Sequence, residues 1–229
     1  RLQDLTPYIQ RDGIDLAGFL PSEVAAVQLD KRMYRLPMRA DVGVLYYRQD
    51  LLKQAGLSLP QTLAQISQTV DILKPSTGYL WQGSRYEGLV ANFVEVMEGL
   101  GATWIEPATG QVGLDTPTTI AAATLLRQLI QQGISPDEVI TYTEQDALER
   151  FIEGQTVFLR GWPYFWVELQ RSALAGKVAI APPFSFTDTP GTGCRGGWGF
   201  GIPKNSAHPD AAWEAIKYFT SDAAQKQFV

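Results

Sequence analysis

Three short stretches set an aromatic ring beside glycine and polar side chains: WQGSRYEG (81–88), RGWPYFW (160–166) and RGGWGFG (195–201). A fourth, RAD (39–41), puts a carboxylate two residues from a guanidinium. The sequence pattern predicts that each aromatic stretch falls at a strand end or helix start. A flat ring next to small residues lets a hydroxyl-rich ligand lie on it. Nearby Asp, Glu, Arg or backbone N–H groups then take the hydroxyls. That is the physics of sugar recognition.

The third stretch raises a rival. Gly191, Gly193 and Gly196 spell G-x-G-x-x-G within GTGCRGGWGFGIP. In nucleotide sites that spacing follows a strand and opens a helix, whose N-terminus carries the phosphate. Here the upstream segment holds Pro182, Pro183 and Pro190, and the downstream one alternates glycine with Trp198, Phe200 and Ile202 before Pro203. Three glycines and a closing proline oppose a helix, so a short strand is predicted and the nucleotide reading fails. The glycines then clear space beside Trp198 and bring backbone amides near a ligand.

Counting narrows the chemistry further. The 229 residues are 45% hydrophobic and 19% charged, with net charge −5. That is globular composition, and the absence of any basic run argues against a nucleic-acid or anionic-membrane surface. One cysteine, Cys194, excludes an internal disulfide framework and a cysteine-built zinc site. One histidine, His208, precedes Pro209 at the start of a helical pattern, which reads as a helix entry. Histidine-rich metal sites and a Ser-His-Asp triad anchored elsewhere are excluded by count, and no cofactor is expected. No apolar run approaches the ~18 residues of a membrane span. The chain starts without Met and stops inside a helical pattern, so a fragment is expected, and no signal segment is recognisable in it.

The elements that must position these residues are mixed. VGVLYY reads as a buried strand after an extended piece ending at Pro37. RQDLLKQAG follows as a helical pattern stopped by Gly56. Pro60 is expected to open the next helix, with Leu63, Ile66, Val70 and Leu73 on one stripe. A helix with Leu89, Phe93, Val96 and Leu100 ends at Gly101. Thr116 caps another, with Pro117 at its first position and Gly133 at its end. Thr143 and Asp146 form a capping box. QTVFLR is a strand ending at Arg160, followed after Gly161 by an aromatic helix start at Pro163. GKVAIAPP is a further strand, and two helices close the chain. Trp104, Trp166 and Trp213 sit within apolar patterns and are expected in the core; Trp81 is left open. The order supports an open α/β architecture, with breaks at LPM (36–38) and APPF (181–184).

LPMRADVGVLYYRQDLLKQAGL, WQGSRYEGLVANF, FIEGQTVFLRGWPYFW and GGWGFGIPKNSAHPDAAWEAIKYFTSDAAQ together carry a family resemblance. The chain resembles the solute-binding proteins of ABC transporters for carbohydrates, the family of maltose- and trehalose-binding proteins. The match spans nearly all of the sequence from about residue 28. It implies a periplasmic-binding-protein-like α/β fold: two lobes of mixed sheet and helices, joined by hinge crossovers and closing on a sugar, here incomplete. Residues 1–37 are then part of the N-terminal lobe, 38–180 the larger C-terminal lobe, and 181–229 a return segment of the first. The resemblance places ligand contacts at Asp41, Trp162, Tyr164, Gly196, Gly197 and Trp198, with Glu87 and Arg39 as further candidates. Arg39 stands where close members tend to carry an aromatic residue. The implied protein is a monomeric, extracytoplasmic binding component without catalysis, metal or cofactor, whose partner is an ABC permease.

Two other functions use similar residues. A glycoside hydrolase needs two carboxylates facing one bond, one of them with a raised pKa. Asp41 and Glu87 can be nominated, but nothing in the sequence pairs them. A receptor for a polyamine would want several carboxylates around its aromatics. These clusters instead hold Arg39, Arg85 and Arg195, expected as surface arginines or as partners of Asp41 and Glu87, or else as contacts to an acidic ligand.

Overall fold

A computed structural model describes residues 1–185 and 191–228, with the backbone alone at Leu63; Pro190 lies outside the described residues. The chain divides into two compact units, Arg1–Asp41 with Arg195–Val229, and Val42–Cys194. The divisions fall somewhat beyond the breaks expected at 37/38 and 180/181.

The first unit opens with α1 (Thr6–Asp12), α2 (Pro21–Val27), the short hairpin β1 (Gln28–Leu29) and β2 (Arg32–Met33), and β3 (Leu36–Val42). Prolines at the first turns of both helices suit positions whose N–H has no helical partner. β3 runs through Pro37 rather than ending there. After the second unit, β8 (Arg195–Phe200) returns to pair with β3, followed by α9 (Pro209–Phe219) and α10 (Asp222–Phe228). His208 occupies the N-cap of α9, the helix entry expected of it. The core gathers Leu5, Ile9, Val27, Met33 and Leu36 with Ile202, Trp213 and Ile216. Trp213 is fully buried, and its Nε1 donates to Asp12 at 2.7 Å.

The second unit holds β4 (Val44–Arg48), α3 (Gln49–Gln54), α4 (Leu63–Leu73), β5 (Thr77–Leu80), α5 (Glu87–Gly99), α6 (Pro117–Gln131), α7 (Glu144–Ile152), β6 (Thr156–Gly161), α8 (Phe165–Gln170) and β7 (Val178–Ala181). Its sheet has the order β5-β6-β4-β7. β5 and β6 run parallel, and β4 is antiparallel to both of its neighbours. Alternation along β4 sends Leu45 into one core cluster and Tyr46 into another, so each sheet face is covered. Burying each large side chain of this kind is worth about 1.5–3 kcal/mol.

Helix boundaries follow local chemistry. α3, α5 and α6 give way to glycines in the left-handed region at 56, 101 and 133. The capping box of Thr143 and Asp146 forms. Pro60, however, does not open α4. Thr62 does, through a capping box with Gln65 that ties down two orphan N–H groups, a stronger signal than the proline's fixed φ. Ile66 of the expected stripe is buried, with Val70 and Leu73 packed against the same cluster. Pro163 likewise precedes α8, whose first residue is Phe165.

Candidate functional site

In the second unit the site is built at the end of β6. Arg160 is the last long side chain of a strand buried along its whole length. Only 1% exposed, it cannot reach water and takes every partner from protein. Its Nη2 lies 2.7 Å from Glu95 Oε1, and its Nε bridges both carboxylate oxygens at 3.2 and 3.1 Å. Its Nη1 donates to Gln82 Oε1 at 3.2 Å, while Gln82 Nε2 donates back to the Arg160 carbonyl at 3.0 Å. Asn92 Nδ2 donates to Gln82 Oε1 at 3.2 Å. Burial works against the guanidinium charge, and the Glu95 carboxylate more than offsets it, raising the Arg160 pKa.

The chain then turns at Gly161, and Trp162 lies with its ring 4.0 Å from the Arg160 guanidinium carbon. Trp162 Nε1 donates to Glu144 Oε1 at 3.2 Å, and the Tyr86 hydroxyl bonds the other oxygen of the same carboxylate. Burial, then Glu144, pushes the Tyr86 phenol well above its usual pKa, so it stays a donor. The Tyr46 hydroxyl donates to the Trp162 carbonyl at 2.8 Å and fixes the backbone of the turn. Tyr164 meets Phe165 edge-on at 4.8 Å and is 45% exposed. The result is a half-buried indole with one face on a cation, its N–H fixed, and a second aromatic close in sequence.

In the first unit, β3 and β8 bring Arg39, Asp41 and Trp198 together. Arg39 Nε pairs with Asp41 Oδ2 at 2.9 Å, and its guanidinium carbon sits 5.7 Å from the Trp198 ring. Burial pushes the Asp41 carboxyl up, with Arg39 partly opposing it. Trp198 is 63% exposed. Gly197 has φ +141°, where only glycine is at ease, and a Cβ there would lie 2.7 Å from Glu23 Oε2 and 3.0 Å from the Arg39 carbonyl. The structure thus supplies a second reason for this glycine: the neighbouring strand and a buried carboxylate crowd it. Arg195 donates to the Ser22 carbonyl at 2.6 Å and stands 3.9 Å from Glu23.

Of the sequence candidates, Trp162 and Tyr164 share one cluster, and Arg39, Asp41, Gly197 and Trp198 another, with Gly196 beside it on β8. Glu87 opens α5 and is exposed. Two tryptophans expected in the core are not there. Trp104 and Trp166 are each 38% exposed, because the apolar runs around them supply only one buried face. Trp81 is buried, with Nε1 donating to Ser135 Oγ at 3.0 Å. Sequence reading missed Glu144, Glu95, Gln82 and Asn92. The available signals were Arg160 closing an apolar strand and Glu95 interrupting the apolar face of α5. No cluster suited to a metal ion exists among the described residues.

The family model described as bacterial extracellular solute-binding protein matches residues 1–226. The chain belongs to that family. The chain is 35% identical to the maltose-bound MalE3 of T. maritima, with a TM-score of 0.88 over 98% of this chain and 59% of that one. It is 25% identical to a solute-binding protein of Agrobacterium radiobacter K84 solved with ribitol, with a TM-score of 0.85 over 99% of this chain and 59% of that one. It is also 28% identical to a protein of Deinococcus radiodurans named a probable ABC transporter-binding protein, over 99% of this chain and 56% of the relative. The chain therefore spans little more than half the length of the relatives it matches. Its fold is the α/β, periplasmic-binding-protein-like one expected from the sequence.

Proposed function

We propose that the chain is part of an extracytoplasmic solute-binding protein that takes up a disaccharide or small oligosaccharide and hands it to an ABC permease. The Trp162 platform carries this reading. A ring braced by Arg160 and keyed by Glu144 is pre-organised, so little ordering cost remains when a sugar stacks on it. Within the same unit Tyr164 supplies further exposed aromatic surface, and two stacking surfaces suit two or more sugar rings better than one short linear polyol. Asp41 accepts hydroxyls at the Trp198 cluster, with the Gly196–Gly197 backbone alongside. Arg39 is already paired with Asp41, which favours an uncharged ligand. The maltose-bound relative supports a disaccharide, and the ribitol-bound one makes a polyol the second reading.

A hydrolase is disfavoured because Glu144 is committed to Trp162 and Tyr86, and Asp41 to Arg39. The protein acts as a monomer and needs no metal or cofactor. Calorimetric titration of the full-length protein with maltose and with ribitol tests the proposal, alongside turnover of chromogenic glycosides. Saturable disaccharide binding without turnover is expected. Binding of ribitol alone would shift the reading to polyols, and turnover would sink it.

A further inference from the structure

The second unit contains a buried ion pair whose contacts lead in three directions. Glu95 and Arg160 are 6% and 1% exposed. One direction is the Trp162 ring, 4.0 Å from the Arg160 guanidinium carbon. A second is Cys194, where the unit ends: its N–H donates to Glu95 Oε1 at 2.9 Å, and Thr192 Oγ1 donates to the Glu95 carbonyl at 3.1 Å. The third is Gly43, next to the residue where the unit begins. A Cβ on Gly43 would fall 1.8 Å from Glu95 Oε1 and 2.7 Å from Arg160 Nη2, so the pair occupies the space a side chain would need. Gly43 N–H in turn donates to the Cys194 carbonyl at 2.9 Å. One carboxylate oxygen, Glu95 Oε1, thus serves both Arg160 and the Cys194 amide.

Replacing a buried charge pair by well-packed apolar residues is often neutral or stabilising, so this pair by itself is weak evidence for stability. The guanidinium is planar and forked, and an indole face lies against it. We propose that Arg160, oriented by Glu95, is a positioning residue for the Trp162 platform, and that the same carboxylate ties that platform to the two segments where the chain enters and leaves the unit. This rests on the reading of Trp162 as a ligand platform only for its functional meaning; the mechanical tie stands on the geometry. Movement of the Trp162 ring is then felt at the Gly43 and Cys194 backbone, and the reverse.

The test uses the full-length protein labelled with 5-fluorotryptophan, the Trp162 resonance being assigned by its loss in Trp162→Phe. Amide exchange is followed in peptides containing Gly43 and Cys194. Arg160→Lys keeps the charge but not the fork or the plane, and should move or broaden the Trp162 resonance. Glu95→Gln should do the same and also speed exchange at Cys194 about tenfold or more, the loss of one charge-assisted hydrogen bond. If either single variant fails to fold, the double variant Glu95→Gln/Arg160→Met removes both charges and is expected to give both changes. A pair with a merely structural role would lower the unfolding midpoint and speed exchange evenly through the second unit, whereas the tie requires the change at Cys194 to exceed that of the unit's other peptides. A folded Glu95→Gln or double variant with either readout unchanged overturns the proposal. Maltose titration of Trp162→Ala is the separate arm: wild-type affinity there would sink the platform reading while leaving the sugar-free readouts to decide the tie.

Discussion

Replacing Gly43 by alanine adds one carbon at the most crowded point of the second unit. That carbon would sit 1.8 Å from Glu95 Oε1, 2.7 Å from Arg160 Nη2 and 2.9 Å from Glu95 Cδ. All three atoms belong to a buried pair, so the obstruction is no flexible tip that can swing into water. The pair must separate or the backbone must shift. Separating a buried pair costs about 3–5 kcal/mol, and overpacking alone about 1–3 kcal/mol. Gly133→Ala is the control in the same unit: its φ of +68° makes alanine strained, but nothing lies within 4 Å of the new carbon. That strain is worth about 1–2 kcal/mol. If the pair separates, urea unfolding of both variants should therefore give a loss about 1–4 kcal/mol larger for Gly43→Ala, with unchanged denaturant slope. If Gly43→Ala is no more costly than Gly133→Ala, the crowding at the ion pair is not what fixes glycine at this position.

Trp162→Ala should weaken disaccharide binding by about 30-fold or more, since truncating a central aromatic anchor costs about 2 kcal/mol; titration calorimetry measures it. Trp213→Ala should cost the fold about 3–5 kcal/mol by leaving a cavity, whereas Trp166→Ala, at an exposed position, should cost about 1 kcal/mol or less by urea unfolding. Asp12 has its carboxyl held low, first by Arg11, then by Lys217 and Trp213. Its stabilisation is present above the unfolded carboxyl pKa of about 3.9 and fades as pH falls below it, so Asp12→Asn should be less stable than wild type at pH 7 and converge on it in acid.

Helix ends are legible in the sequence where one residue decides the outcome. The left-handed glycines at 56, 101 and 133 and the Thr143 capping box each set a helix end by backbone chemistry alone. At the start of α4 the fixed φ of Pro60 is outweighed by the two hydrogen bonds that Thr62 and Gln65 exchange. Trp104 and Trp166 show a different limit: an apolar neighbourhood in sequence does not say which face of a helix or loop finds a partner. The Trp162 stretch was legible as a ring on a glycine turn. What holds the ring was not, because Glu144 lies 18 positions upstream and Glu95 lies 65 positions from Arg160. Contacts of that separation are set by tertiary packing and leave no periodic trace.

The close approach of Gly43 and Cys194 bears on the order of folding. The core of the first unit joins Leu5, Ile9, Val27, Met33 and Leu36 to Ile202, Trp213 and Ile216. During synthesis the early half of that core must wait until the late half emerges. The second unit is one uninterrupted segment, and can finish first. Once it has folded, the hydrogen bond from Gly43 to Cys194 holds its ends side by side. The long loop separating the two halves is by then replaced by a closed clasp, and the entropy of bringing them together has already been spent.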